Sequence, residues 1–164
     1  MRRKDREVSD LTAIEEIIGH CYVCRAAYQD AEGMTIVPMN FGYALEDGRL
    51  TLYFHSAREG RKVDAFARGA QVAFEMDGVM ELIQAETACE YGCTYESVVG
   101  NGRGGIVNDP AEKCRAMTLL MRRQTGRHFE FTPEQLEHVA VLKIEASQFT
   151  AKRRGSLRRG RKVP

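Results

Sequence analysis

The chain has 164 residues, 43% of them hydrophobic and 29% charged, with a formal net charge of +1 at pH 7. That length suits one domain with a sizeable core rather than two, and the near-neutral balance gives no global case for a nucleic-acid or membrane partner. The N-terminus MRRKDREVSD lacks the apolar core of a signal peptide, and no apolar run approaches the ~18 residues of a membrane span, so a cytoplasmic location is expected.

Ser9-Asp10 ahead of Leu11, Ile14, Ile17 and Ile18 predicts a capped amphipathic helix ending near Gly19. Cys21–Tyr28 reads as a short apolar strand and Gln29–Gly33 as a turn. Met34–Met39 follows as a second strand, whose Pro38 must sit at an end, an edge or a bulge because it has no ladder donor. Asn40–Tyr43 continues it with a bend at Gly42, and Glu46-Asp-Gly48 is a hairpin signal.

The hydrophobic period changes within Leu50–Ala67. Leu50, Leu52 and Phe54 alternate as in a strand, whereas Val63, Phe66 and Ala67 recur at helical spacing. Between them lies Ser56–Lys62, with a hydroxyl expected to cap the helix, a glycine, the cations Arg58, Arg61 and Lys62, and one acid. A helix start exposes unpaired N–H groups, and Arg61 and Lys62 add a planar fork and a point charge, which together suit a phosphate. The plainer alternative is an ordinary capped surface helix with solvated cations.

Beyond Gly69, Ala70–Met76 alternates as a strand, with Asp77-Gly78 expected to turn. Ser97–Val107 reads as a glycine-bent strand, where such glycine density suggests a bulge or a barrel corner. Asp109 and Pro110 open a helix that runs through Met117, Leu120 and Met121 to about Gly126. Thr132–Leu136 starts a short helix, and His138–Glu145 is a last core strand. Six or seven mostly antiparallel strands with three or four peripheral helices predict an α+β protein built on a small barrel. Residues 1–151 are expected to form this domain. Residues 152–164 are expected to be a basic, disordered tail, too poor in apolar residues to fold alone. Clustered cations of that kind could also bind nucleic acid, although no aromatics are interleaved for base stacking.

The pattern resembles the FMN-binding split-barrel superfamily, the pyridoxamine 5′-phosphate oxidase-like proteins, and within it the nitroimidazole-resistance group. The matching pieces are Val23–Ala27, Val37–Tyr43, Leu52–Ala57 with Gly60-Arg-Lys62, Ser97–Gly100 with Gly102-Arg103, and Val141–Ile144 followed by Thr150–Arg153. They occur in the expected order. The resemblance implies a split β-barrel homodimer with FMN at the two-fold interface. It implies Arg61 and Lys62 on the FMN phosphate, with His55 and Ser56 near the phosphate and ribityl end. Val37, Pro38, Met39 and Asn40 would line the isoalloxazine through backbone groups, and Ser97 and Val98 would contribute as well. It further implies flavin redox chemistry on a small-molecule acceptor, with a nicotinamide as a possible donor. A non-catalytic flavin-binding module is the rival reading. The chain departs from the oxidases proper in having no Trp and in ending in basic residues rather than in their substrate-phosphate Arg/His pair, so oxidation of pyridoxamine phosphate itself is not expected.

His55 is the candidate proton shuttle for reduced flavin, while His20, His128 and His138 show no partner spacing. Cys21-x-x-Cys24 with Cys89-x-x-x-Cys93 has the composition of a structural zinc site. The first pair lies within a predicted strand, however, the second spacing is loose, and neither sits in a glycine-rich knuckle. Free, half-buried thiols and no metal are expected.

Overall fold

The structure, a computed structural model, describes residues 3–155. In chain order its elements are β1 (Glu7–Val8), α1 (Leu11–His20), β2 (Val23–Asp30), β3 (Gly33–Asn40), β4 (Gly42–Glu46) and β5 (Arg49–Ser56). They continue with α2 (Arg61–Ala67), β6 (Gln71–Ile83), β7 (Gly92–Ile106), α3 (Pro110–Thr125) and β8 (Ala140–Arg154). Three short 3-10 turns lie at Lys4–Arg6, Ala88–Glu90 and Glu134–Leu136. Among the described residues no helix is long and apolar enough to cross a membrane.

Local chemistry sets the helix ends. The Asp10 carboxylate accepts from the Ala13 N–H at the start of α1, and Asp109 accepts from the Glu112 N–H at the start of α3. Gly126 closes α3 in the left-handed conformation. In the β4–β5 hairpin, Asp47 and Gly48 both have positive φ, the geometry that a two-residue turn between twisted strands requires.

All strand pairs are antiparallel, in the order β3-β2-β6-β7-β8-β5-β4, with the two-residue β1 added on β8. The edge strands β3 and β4 are separated in the chain by Phe41 alone. Two trans peptide steps span at most about 7.6 Å, so the sheet must curl until its two edges meet at that corner. The result is an α+β split barrel. One core, including Ile17, Ile18, Phe41, Phe54, Phe66, Phe74 and Leu142, fills it, and a smaller cluster around Tyr53, Met117 and Val141 lies under α3.

The corner depends on Gly42. A Cβ there would lie 2.4 Å from the Leu120 backbone nitrogen and 2.6 Å from its Cα, atoms that cannot rotate away. Gly42→Ala is therefore expected to lower stability by about 1–3 kcal/mol, the usual range for overpacking, and thermal unfolding would show it. Arg123 ties α3 to α1 on the same side by donating to the carbonyls of Ile18 and Cys21, with its guanidinium over the Tyr22 and Phe41 rings.

Three expectations change. Asp77-Gly78 is not a turn: β6 runs through it to Ile83, with a register shift against β7 between Gly78 and Glu81. Gly78 serves a close approach instead, since a Cβ there would lie 3.0 Å from the His20 carbonyl oxygen. The domain does not stop at residue 151, because Lys152, Arg153 and Arg154 continue β8 opposite Ser97, Glu96 and Tyr95. The charge of Arg153 is tolerated there because the fully buried Glu96 accepts from it. Residues 156–164 of the expected tail, and with them the nucleic-acid reading, lie outside the described residues. Finally, the strands number eight among the described residues, as the bend expected at Gly42 is a break between β3 and β4, and β1 was not foreseen.

Candidate functional site

The junction between β5 and α2 is held from below. Ala65 and Phe66 of α2 are buried, and the Phe66 ring packs edge-on against Tyr28 of β2 with centroids 6.0 Å apart. Gly104 of β7 makes room, as a Cβ there would lie 3.0 Å from the Phe66 ring. Ser56 does not cap α2. It ends β5 opposite Ala140, and the helix starts five residues later at Arg61 behind Gly60, whose φ of +126° favours glycine and which offers no side-chain cap. At seven residues, α2 has little dipole to offer an anion, so any phosphate site here rests on side chains.

Those side chains are Arg58, Arg61 and Lys62, and they are not equivalent. Arg61 faces the end of β2, where Nε donates to Asp30 Oδ2 at 2.5 Å and Nη2 to Oδ1 at 2.7 Å, while Nη1 lies 3.1 Å from Glu32 Oε2. The Asp30 side chain is only 4% exposed, and its Oδ1 also accepts the Glu32 N–H at 2.9 Å. The Arg61 hydrogen bonds hold the Asp30 carboxyl below the usual carboxylate range. Arg61 is thus already charge-paired, which the sequence did not indicate. The half-buried Lys62 and the exposed Arg58 make no ion pair among the described residues.

The expected ring-end residues lie on β3, an edge strand that among the described residues is bonded only to β2, so every second backbone N–H and C=O on its outer side has no ladder partner there. Pro38 sits on this edge without breaking a ladder, as its missing donor requires. Val37 is half-buried, Pro38 and Asn40 are exposed, and Met39 points into the core at 8% exposure, so only its backbone can meet a ligand. Past Phe41, Gly42 pairs with Tyr53 of β5, and His55 and Ser56 follow two and three residues on. Residues 37–40 and 55–56 therefore lie on β3 and on β5, the strand that pairs with β4 beside the corner. The exposed His55 has no side-chain hydrogen bond among the described residues.

Ser97 and Val98 lie elsewhere. They are on β7, separated from β5 by β8 and from β3 by β6 and β2. Val98 is fully buried in the core, and the half-buried Ser97 lies between Asp77 and Lys152. One chain alone does not bring them to the junction.

The cysteine pairs are also far apart in character. Cys21 and Cys24 are in the core, and burial pushes both thiols up to about 12, which makes them inert at neutral pH. Cys89 is exposed and Cys93 half-buried, and all five cysteines are free. No group of three or more His, Cys, Asp or Glu among the described residues could hold a metal ion.

Two groupings escaped the sequence. One is the Asp30–Arg61–Glu32 cluster, because Asp30 and Glu32 read only as turn residues. The other joins His20 Nδ1 to Glu96 Oε2 at 2.6 Å and Arg153 Nε to Glu96 Oε1 at 2.5 Å, with Arg153 also reaching Glu16. Two cavities avoid all ten candidate residues. One of about 420 Å³ lies between α1, β4 and α3, beside Tyr43, Leu45, Leu119 and Arg122, and another of about 430 Å³ lies between β1, the β4–β5 turn and β8.

Comparison with known proteins gives a consistent picture. The sequence profile of the pyridoxamine 5′-phosphate oxidase family matches residues 10–153. A candidate 5-nitroimidazole antibiotic resistance protein from Bacteroides thetaiotaomicron is 32% identical, with 89% of this chain and 85% of that one covered at a TM-score of 0.74. An FAD- and heme-binding protein from Mycobacterium smegmatis shares the fold at 16% identity, covering 92% and 74% of the two chains with a TM-score of 0.75. An FAD-binding protein from Mesorhizobium loti does so at 19% identity, covering 92% and 98% with a TM-score of 0.60. No curated protein matches the sequence.

Proposed function

The chain belongs to the pyridoxamine 5′-phosphate oxidase family, and from that premise we propose that it is an FMN-binding oxidoreductase that reduces a small molecule. The match across residues 10–153 carries this reading. The 32% identity to a candidate nitroimidazole-resistance protein suggests a nitroaromatic as the acceptor.

The residues present suit the cofactor. The unpaired outer edge of β3 offers N–H and C=O groups along Val37–Asn40 to the polar rim of an isoalloxazine. Lys62 makes no ion pair among the described residues, and Arg61 keeps one N–H on each terminal nitrogen beyond those held by Asp30 and Glu32. In this reading His55 and Ser56 would hydrogen-bond near the phosphate end, and the exposed His55 would be the group that moves a proton. The bound flavin supplies the electron transfer, so no side chain has to.

A homodimer is part of the proposal. The outward face of β3, β2, β6 and β7 carries Met34, Ile36 and Val99 at 72%, 67% and 43% exposure, with Ala27 and Ala73 between them, an apolar surface that a second copy would cover. Such a partner would also bring a second Ser97 to the site and close a groove that one chain leaves open.

The test is anaerobic mixing of the FMN-loaded protein with a reduced nicotinamide, followed by a nitroaromatic. Bleaching of the flavin band and its return on adding the acceptor are expected. A band that no nicotinamide bleaches would favour a non-catalytic flavin-binding module. Tighter binding of FAD than FMN would overturn the choice of cofactor.

A further inference from the structure

We propose that the turn between β2 and β3 sets the phosphate selectivity of the cofactor site, Asp30 as a positioning residue for Arg61 and Glu32 as a carboxylate that competes with the phosphate. This rests on the reading of Arg61 and Lys62 as the phosphate site.

The two acids differ in burial and in how they hold the guanidinium. Asp30 is 4% exposed and meets Nε and Nη2 in a two-pronged bond, with its remaining capacity on Oδ1 used by the Glu32 N–H. A carboxylate so covered, with Arg61 its ion-pair partner among the described residues, fixes the plane of that fork. Its pairing leaves the opposite edge of the guanidinium, one N–H on Nη1 and one on Nη2, as the donors not committed to Asp30 or Glu32. Asp30 thus plays for Arg61 the part that carboxylates behind metal-bound histidines play for their rings, fixing orientation from behind.

Glu32 is different. Its side chain is 70% exposed, and it meets Arg61 only through Nη1 at 3.1 Å. An incoming phosphate would compete for that nitrogen, and Glu32 can swing into solvent at little cost. Its charge still disfavours a phosphate beside it. A ligand without phosphate neither needs the Arg61 fork nor feels Glu32 strongly. The turn therefore acts on the FMN-to-riboflavin preference and not on flavin binding in general.

Binding of FMN and of riboflavin to the full chain, wild type, Asp30→Asn and Glu32→Gln, tests this by flavin fluorescence. Asp30→Asn keeps the shape and an acceptor for the Glu32 N–H, and it should weaken FMN roughly ten- to a hundredfold, the range seen for other orienting partners, with riboflavin unchanged. Glu32→Gln, on an exposed side chain, should tighten FMN severalfold and leave riboflavin as it was. Equal loss of both ligands in Asp30→Asn would make Asp30 merely structural and overturn its part. Unaltered FMN affinity in Glu32→Gln would overturn the competition. A wild type that does not prefer FMN to riboflavin would instead remove the phosphate site on which the inference stands, so the two failures are distinguishable.

Discussion

Changing Arg61 and Lys62 together to alanine is expected to lower FMN affinity by roughly two to four decades, at tenfold per about 1.4 kcal/mol. The estimate assumes two charge-assisted contacts to the phosphate, each contributing about 1.5–3 kcal/mol. Riboflavin, which lacks the phosphate, should respond little. That contrast matters because the double change also strips the half-buried Asp30 of its partner and will loosen the β2–β3 turn. A protein that was merely loosened would lose both ligands. Lys62→Ala alone, which breaks no ion pair among the described residues, should show the FMN-specific loss at about half its logarithmic size. If the cations were only a solvated face, their removal would cost within about 0.5 kcal/mol and change neither ligand.

The second large effect is on stability. Glu96 is fully buried and is held by His20 at the end of α1 and by Arg153 near the end of β8. Glu96→Ala leaves both partners facing a gap in the fold, and Arg153 loses the carboxylate that justifies a charge in a strand paired to the core. Because His20 and Arg153 stay 42% and 28% exposed and can recover water, the loss should fall below that of a fully enclosed pair, at about 2–3 kcal/mol. For a domain of this size that corresponds to a fall in Tm of about 5–10 °C. FMN binding measured well below the transition should be intact, since Glu96 pairs with Arg153 near one end of β8 and the junction residue Ser56 with Ala140 at the other. A melting temperature unchanged by the substitution would show that the network contributes nothing net.

These effects also show what a sequence can and cannot reveal. The caps at Asp10 and Asp109, the Asp47-Gly48 hairpin and the left-handed Gly126 are decided within a few residues, and reading the sequence finds them. Asp77-Gly78 carries the same local signal as Asp47-Gly48 yet passes through as strand, because its glycine answers to the His20 carbonyl of a different element. Ser56 fails as a cap for a similar reason: β8 holds it in strand register at Ala140, and Gly60 takes the helix start. Glycines 100 and 104, expected to mark a bend, make room for the rings of Phe74 and Phe66, although a bulge does follow at Asn101 and Gly102. In the candidate site, the cations of the junction were legible from composition, whereas the acids that hold Arg61 were not. Asp30 and Arg61 are 31 positions apart, and only the docking of α2 on β2 through Phe66 and Tyr28 brings them together. The basic residues after position 151 misled in the opposite direction, since the carboxylate that draws Arg153 into β8 lies 57 residues earlier.

The most direct test is a titration of the wild-type protein with FMN and, in parallel, with riboflavin, followed by quenching of flavin fluorescence. The account predicts saturable, stoichiometric binding of FMN, tighter than that of riboflavin by roughly two decades or more, the margin expected for two charge-assisted phosphate contacts. Equal affinities for the two flavins, or no saturable binding of either, would contradict it.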